Sequence, residues 1–347
     1  MKAGTLVEVR SKAEILSTLD STGRLDGLPF MPQMLAYCGK RFRVYKVAHK
    51  TCDSFIVNET IQYHGREMHD TVLLENLRCD GAAYGGCNAA CMIFWRTAWL
   101  KLPDELPQYQ HISGADCTEE DILANTTGPL ATYRCQATDL EGATLPLSRW
   151  NLRQYVKDWT SGNTKLGTMA TGFFFLGYDR LCNAGLKLGK PLRFLYDAVQ
   201  GLYGGIPYPK RPGTFPVGKA TPVETKNLQP GEWVKVKSHK EILATMDKYN
   251  RNRGMYFTPD QVPYCGRTFR VAKRVNQIID ERSGRMVKMK TPCIVLEGAV
   301  CRSRYTDFCL FCPRATYPYW REIWLDRVPA PATLPTTTQH NQTTPIS

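Results

Sequence analysis

Most of the short motifs that mark enzymes are missing from this chain. It contains no G-x-S-x-G, H-E-x-x-H, phosphate-loop or G-x-G-x-x-G pattern, which removes the common hydrolase, zinc-peptidase and nucleotide-binding readings. Histidine is scarce, with 6 in the whole chain. No pair of acidic residues singles itself out for acid–base chemistry. Long apolar runs are lacking as well. The most apolar stretch, Leu166–Gly177, has about half of the ~20 residues a membrane-spanning helix needs, and Asp179 and Arg180 end it. We expect a buried helix there. The opening residues, MKAGTLVEVRSKAEIL, hold no continuous apolar segment and no small-residue cleavage site, so a secretory signal is not expected and a cytoplasmic location is. Acid is in short supply, 32 Asp+Glu against 45 Lys+Arg. The resulting net charge of +13 suits polyanionic partners without choosing among nucleic acid, acidic protein and anionic membrane.

Against these absences stands an internal repeat. The segment GTLVEVRSKAEILSTLDSTGRLDGLPFMPQMLAYCGKRFRVYK, from Gly4, aligns without a gap to GEWVKVKSHKEILATMDKYNRNRGMYFTPDQVPYCGRTFRVAK, from Gly231; 20 of 43 positions are identical. Further along, Leu74-Glu75 matches Leu296-Glu297, and Trp95-Arg96 with Trp99-Leu100 matches Trp320-Arg321 with Trp324-Leu325. Two copies far apart in sequence make a duplicated domain, not a solenoid.

Each copy reads as a short alternating strand (from Leu6 and from Trp233) followed by a short helix with a capping box, Ser11 with Glu14 and Ser238 with Glu241. A Gly/Pro loop comes next, then a basic strand (FRVYK, FRVAK), further strands and an aromatic end. The expected class is α+β: two small β-barrel-like modules of SH3-like size joined by a mostly helical connector. The boundaries we assign are 1–103 and 223–328 for the modules, 104–222 for the connector with its Pro-rich linker, and 329–347 for a disordered Pro/Thr-rich tail.

The 13 cysteines carry the functional argument. Cys38 matches Cys265, Cys79 matches Cys301, Cys87 matches Cys309, and Cys91 matches Cys312 after a shift of one residue. Between the first two of each trailing group, DGAAYGG and RSRYTDF share no position, yet both flanking cysteines persist. The loop has drifted while the thiols have not. In a reducing compartment, four thiolates on one point hold a tetrahedral zinc ion or an iron–sulfur cluster, so we expect two metal sites: Cys38, Cys79, Cys87 and Cys91, then Cys265, Cys301, Cys309 and Cys312. The small residues of CDGAAYGGC and the proline after CLFC place an iron–sulfur cluster ahead of zinc. Cys52 is a competing ligand in the first copy only, its counterpart being Ile279. Cys117, Cys135, Cys182 and Cys293 have no repeat partner and read as thiols without a task.

The function expected is thus an electron carrier, or an accessory or adaptor to a partner protein. The first alternative is a zinc-stabilised nucleic-acid binder using the basic strands Lys40–Lys46 and Arg267–Arg274. The second is a thiol-dependent enzyme, which the histidines do not favour because none matches between copies. The paired tryptophans are expected in the core, not as a base-stacking platform.

The phrases VEVRSKAEIL, YCGKRFRVYK, LRCDGAAYGGC and FWRTAWL resemble an uncharacterised family of bacterial tandem-repeat, cysteine-rich proteins with this duplicated layout. The resemblance covers most of the chain. It implies a bacterial cytoplasmic origin and transfers no activity.

Overall fold

The computed structural model describes residues 1–57, 60–103, 117–185 and 188–331; most of the expected tail lies outside them. The fold is mixed α+β, with several small sheets and few helices. In the first copy, Leu6–Val9 alternates so that Val7 and Val9 are fully buried while Glu8 faces outward. This strand pairs antiparallel with Arg41–Val47 on one side and Leu100–Lys101 on the other. Glu8 is flanked by Arg41 at 3.0 Å and Lys101 at 3.1 Å, and these cross-strand ion pairs fix its face outward. Thr71–Arg78 and Met92–Arg96 complete a five-stranded sheet. The second copy repeats the same strand order with Trp320–Arg321, Met286–Leu296, Thr268–Ile279, Trp233–Val236 and Leu325–Arg327. The ladders run in an open order: among the described residues Met92–Arg96 and Leu100–Lys101 do not pair with each other.

The expected capping boxes are formed. Helix α1 (Lys12–Leu16) is opened by Ser11, whose N–H donates to Glu14 at 2.8 Å; Ser238 and Glu241 do the same at 2.9 Å for His239–Leu243. The matched tryptophans are core residues. Trp95, Trp99, Trp320 and Trp324 are fully buried, and one phenylalanine per copy meets both rings edge-on, Phe30 at 6.2 and 5.2 Å and Phe257 at 5.9 and 5.3 Å. The arginine beside each first tryptophan is buried and collects backbone carbonyls. Arg96 donates to Leu25, Asp26 and His69; Arg321 donates to Asn252, Arg253 and Thr291. A guanidinium can satisfy five acceptors from a rigid plane, which explains why Trp-Arg recurs as a unit.

Between the modules lie helices α2 (Glu119–Ala124), α3 (Arg153–Thr160), α4 (Leu166–Cys182) and α5 (Gly189–Leu202), the last three in the later part of that stretch. Residues 127–147 instead form short strands and turns laid against the first copy, where Leu140 and Ala143 join its core. The Pro-rich stretch after Ile206 has no helix or strand, but it is strapped to the second copy. Thr214 and Phe215 donate backbone N–H groups to Leu243 and Met246, and Tyr208 is fully buried.

Removing either collecting arginine tests the core. Arg96→Leu and Arg321→Leu each strand three carbonyls and are expected to cost about 3 kcal/mol, read from urea denaturation. His239, on the second short helix (α6, His239–Leu243), gives a pH signature. Burial, with Arg211 nearby, lowers its pKa to about 4. A group held neutral in the folded state contributes stability that is present above the unfolded value near 6.5 and lost as pH falls toward 4. Asp260, raised by burial to about 6, acts in the opposite sense over part of that window. The difference in melting temperature between wild type and His239→Phe is therefore the quantity to follow, and it should shrink as pH drops.

Candidate metal centres

The cysteine loops lie where the two copies exchange hairpins. In the first copy, Lys50–Val57 and Thr60–Glu67 form a hairpin that extends past the sheet; in the second, Thr268–Ile279 and Met286–Leu296 do the same. Each hairpin crosses onto the other copy's cysteine loop. Ile279 N–H donates to Cys87 Sγ at 3.4 Å, and Asn88 is bonded through its N–H to Gln277 O at 2.9 Å. Reciprocally, Cys309 Sγ donates to Thr51 O at 3.5 Å, and Arg314 donates to Cys52 O at 2.9 Å. Cys52 and Ile279, counterparts in the repeat, thus occupy corresponding places above opposite loops.

Three of the four repeat-matched thiols of the first copy share a neighbourhood. Cys79, Cys87 and Cys91 line a cavity of about 40 Å³ together with Cys135, Met31, Ala89 and Ala137. The fourth thiol comes from the connector. Gln136 anchors that segment by donating to Phe94 O at 2.8 Å and accepting from Phe94 N–H at 2.8 Å, which extends the edge of the first sheet and sets Cys135 beside the loop. In the second copy, Cys312 N–H donates to Cys309 O at 3.3 Å, and the Cys301 thiol lies 3.6 Å from the Ser303 hydroxyl.

The two Y-C-G cysteines stand apart. Cys38 faces Lys12 and Glu119, and no second thiol acts on Cys265. The repeat of Y-C-G has another cause. Tyr37 and Tyr264 pack edge-on against Phe42 and Phe269, and Gly39 and Gly266 adopt φ of +74° and +75° to turn the chain into the basic strand. Thus the structure leaves Cys38 and Cys265 outside the groups that sequence matching placed them in, and brings in Cys52 and Cys135. Cys135 was not identifiable by matching, because it lies outside the repeat; Cys52, read from the sequence as a competing ligand of the first copy, instead lies against the second copy's loop. Cys117, Cys182 and Cys293 are buried elsewhere.

Burial raises the thiols of Cys91, Cys135 and Cys301 and pushes Cys79 up to about 12. Hydrogen bonding to Cys312, with burial behind it, raises Cys52, and hydrogen bonding to Cys309 raises Cys312. Protons held this firmly in buried sites disfavour a nucleophilic thiolate. Among the described residues, no three His, Cys, Asp or Glu side chains form a finished metal site.

A polar cluster braces the second centre from below. Lys50 Nζ, fully buried, donates to Asp158 Oδ2 at 2.6 Å and to Leu310 O, in the Cys309–Cys312 turn, at 2.6 Å. His49 Nε2 lies 3.2 Å from Asp158 Oδ1. Arg314 pairs with Glu281 at 2.7 Å, and both also border the first centre's cavity.

The basic strands are tied down only in part: Arg41 pairs with Glu8, Arg43 donates to Gly4 O, and Arg274 pairs at 2.7 Å with Glu322, a buried carboxylate. Lys40, Arg41, Arg43, Arg267 and Arg270 stay exposed along them. No family model, curated protein or solved structure matches the chain.

Asp158→Ala would leave the Lys50 ammonium buried and unpaired. It should cost about 3–5 kcal/mol by chemical denaturation.

Proposed function

We propose that the protein is a metal-binding adaptor with two tetrathiolate centres, Cys79–Cys87–Cys91–Cys135 and Cys52–Cys301–Cys309–Cys312, on small barrel-like modules that serve a partner protein. The observation that carries this reading is the composition of the two groups. In each, three thiols come from one loop, and a fourth arrives from a distant segment hydrogen-bonded into place. Packing alone gives no reason for Cys79, Cys87, Cys91 and Cys135 to line one cavity, and the second group is inferred from the repeat. A cavity of about 40 Å³ holds one or two water-sized occupants, which suits a single ion better than a multi-iron cluster. Zinc is therefore the occupant we favour; tetrahedral thiolate coordination is its usual structural site. Bound metal would hold the hairpins in place and contribute directly to folding.

Elemental analysis of protein purified without oxygen decides the matter. About two zinc per chain are expected for two such sites. Cys52→Ser and Cys135→Ser should each lose about one equivalent, whereas Cys38→Ser and Cys265→Ser should keep both. Brown protein with iron and acid-labile sulfide would replace zinc by a cluster while keeping the sites; metal-free protein would sink the reading. Because the thiols are protonated before binding, affinity should climb steeply between about pH 6 and 8, by about tenfold per pH unit for each proton released. A pH-jump titration with a chromophoric chelator measures it.

A further inference from the structure

The connector helices turn their apolar sides to solvent. On α3, the inward face carries Gln154 and Asp158, both buried, while Leu152, Val156 and Trp159, spaced as one helical face, are exposed at 71, 58 and 53%. On α5, no residue is fully buried, and Phe194, Leu195, Val199 and Leu202 form an exposed stripe. On α4, Met169, Gly172 and Phe175 pack inward; Leu166, Phe174 and Leu181 face out. Three successive helices with exposed apolar stripes far exceed the scattered single residues normal on a monomer.

The charge around them is one-sided. Arg149, Arg153, Lys157, Lys165, Arg180 and Lys190 are exposed across this region. The acids of these helices are withdrawn: Asp158 and Asp179 are buried, and Asp197 is half-buried and paired with Arg211; from the first hairpin, Glu67 pairs with Lys157 at 3.1 Å and leaves the other cations to the surface. Trp, Phe and Leu beside Lys and Arg, on helices lying along a surface, is the pattern of an interfacial membrane helix. No helix among the described residues is long and apolar enough to cross a membrane. A second copy docking face to face would set these cations against their own kind, and nucleic acid would leave the apolar stripes unused.

We propose that α3, α4 and α5 form a face that docks on an anionic lipid bilayer, with the apolar stripes in the headgroup–acyl boundary and the cations on acidic headgroups. The full-length protein is mixed with sedimentable vesicles of pure phosphatidylcholine or of phosphatidylcholine with phosphatidylglycerol. It should pellet with the anionic vesicles, weakly with the neutral ones, and less in about 0.5 M salt. The triple variant Phe174→Ser, Phe194→Ser, Leu195→Ser changes exposed side chains only. It should keep the wild-type melting temperature and metal content and bind at least about tenfold more weakly. No pelleting on anionic vesicles at low salt would overturn the proposal, as would a folded triple variant that pellets like wild type. A concentration-dependent dimer that the triple variant abolishes, with no vesicle binding, would assign the face to a second copy instead.

Discussion

Two hydrogen bonds involving sulfur cross between the halves of this molecule, from Ile279 N–H to Cys87 Sγ and from the Cys309 thiol to Thr51 O, and they mark the constraint on which the rest depends. A loop of cysteines at the end of a small sheet has no core of its own. It becomes buried only when something long enough reaches across it, and here that is the hairpin of the other copy. The hairpins run past their sheets because they must span this distance. The bulges near Val271 and Val275 allow the second hairpin's strands to bend as they cross. The ion pair of Arg314 with Glu281, touching Cys52 on one side and the first cavity on the other, lies in the seam the exchange creates.

The same constraint orients the connector. Lys50, on the first hairpin, is carried to a place with no water, and its ammonium needs a carboxylate there. Asp158 supplies it, which commits the polar side of α3 to the interior and leaves Leu152, Val156 and Trp159 facing out. Helix α4 follows closely, since Gly172 lies so near the Phe311 ring that a Cβ there would stand 2.7 Å from it. A helix whose hydrophobic face is predicted from periodicity alone would be placed the other way round.

Much of each module was legible in the sequence because it is local or repeated. The capping boxes, the alternating first strand and the buried tryptophans all follow from spacing, and duplication doubled the signal. The site was legible only in part. Cys79, Cys87 and Cys91 recur and line one cavity; Cys38 and Cys265 recur for the sake of a turn and its tyrosine. Repetition records every reason for keeping a residue and does not separate coordination from backbone geometry. Cys135 was hidden, and Cys52 was assigned to the wrong copy, for the complementary reason. Their neighbours are set by long-range crossing of the chain, which leaves no periodic trace. Residues 127–147, expected within a helical connector, instead include short strands that pair with each other and with Thr60–Glu67, and Gln136 between them bonds both backbone groups of Phe94 at the first sheet's edge.

Duplication ordinarily leaves a spare, and a spare can be trimmed, tuned or lost. Hairpin exchange withdraws that freedom here. The element that shields one half belongs to the gene segment of the other, so a deletion in either exposes both, and a cut between them yields no transplantable unit. What began as two interchangeable copies behaves as one indivisible object, and engineering or inheritance must handle it whole.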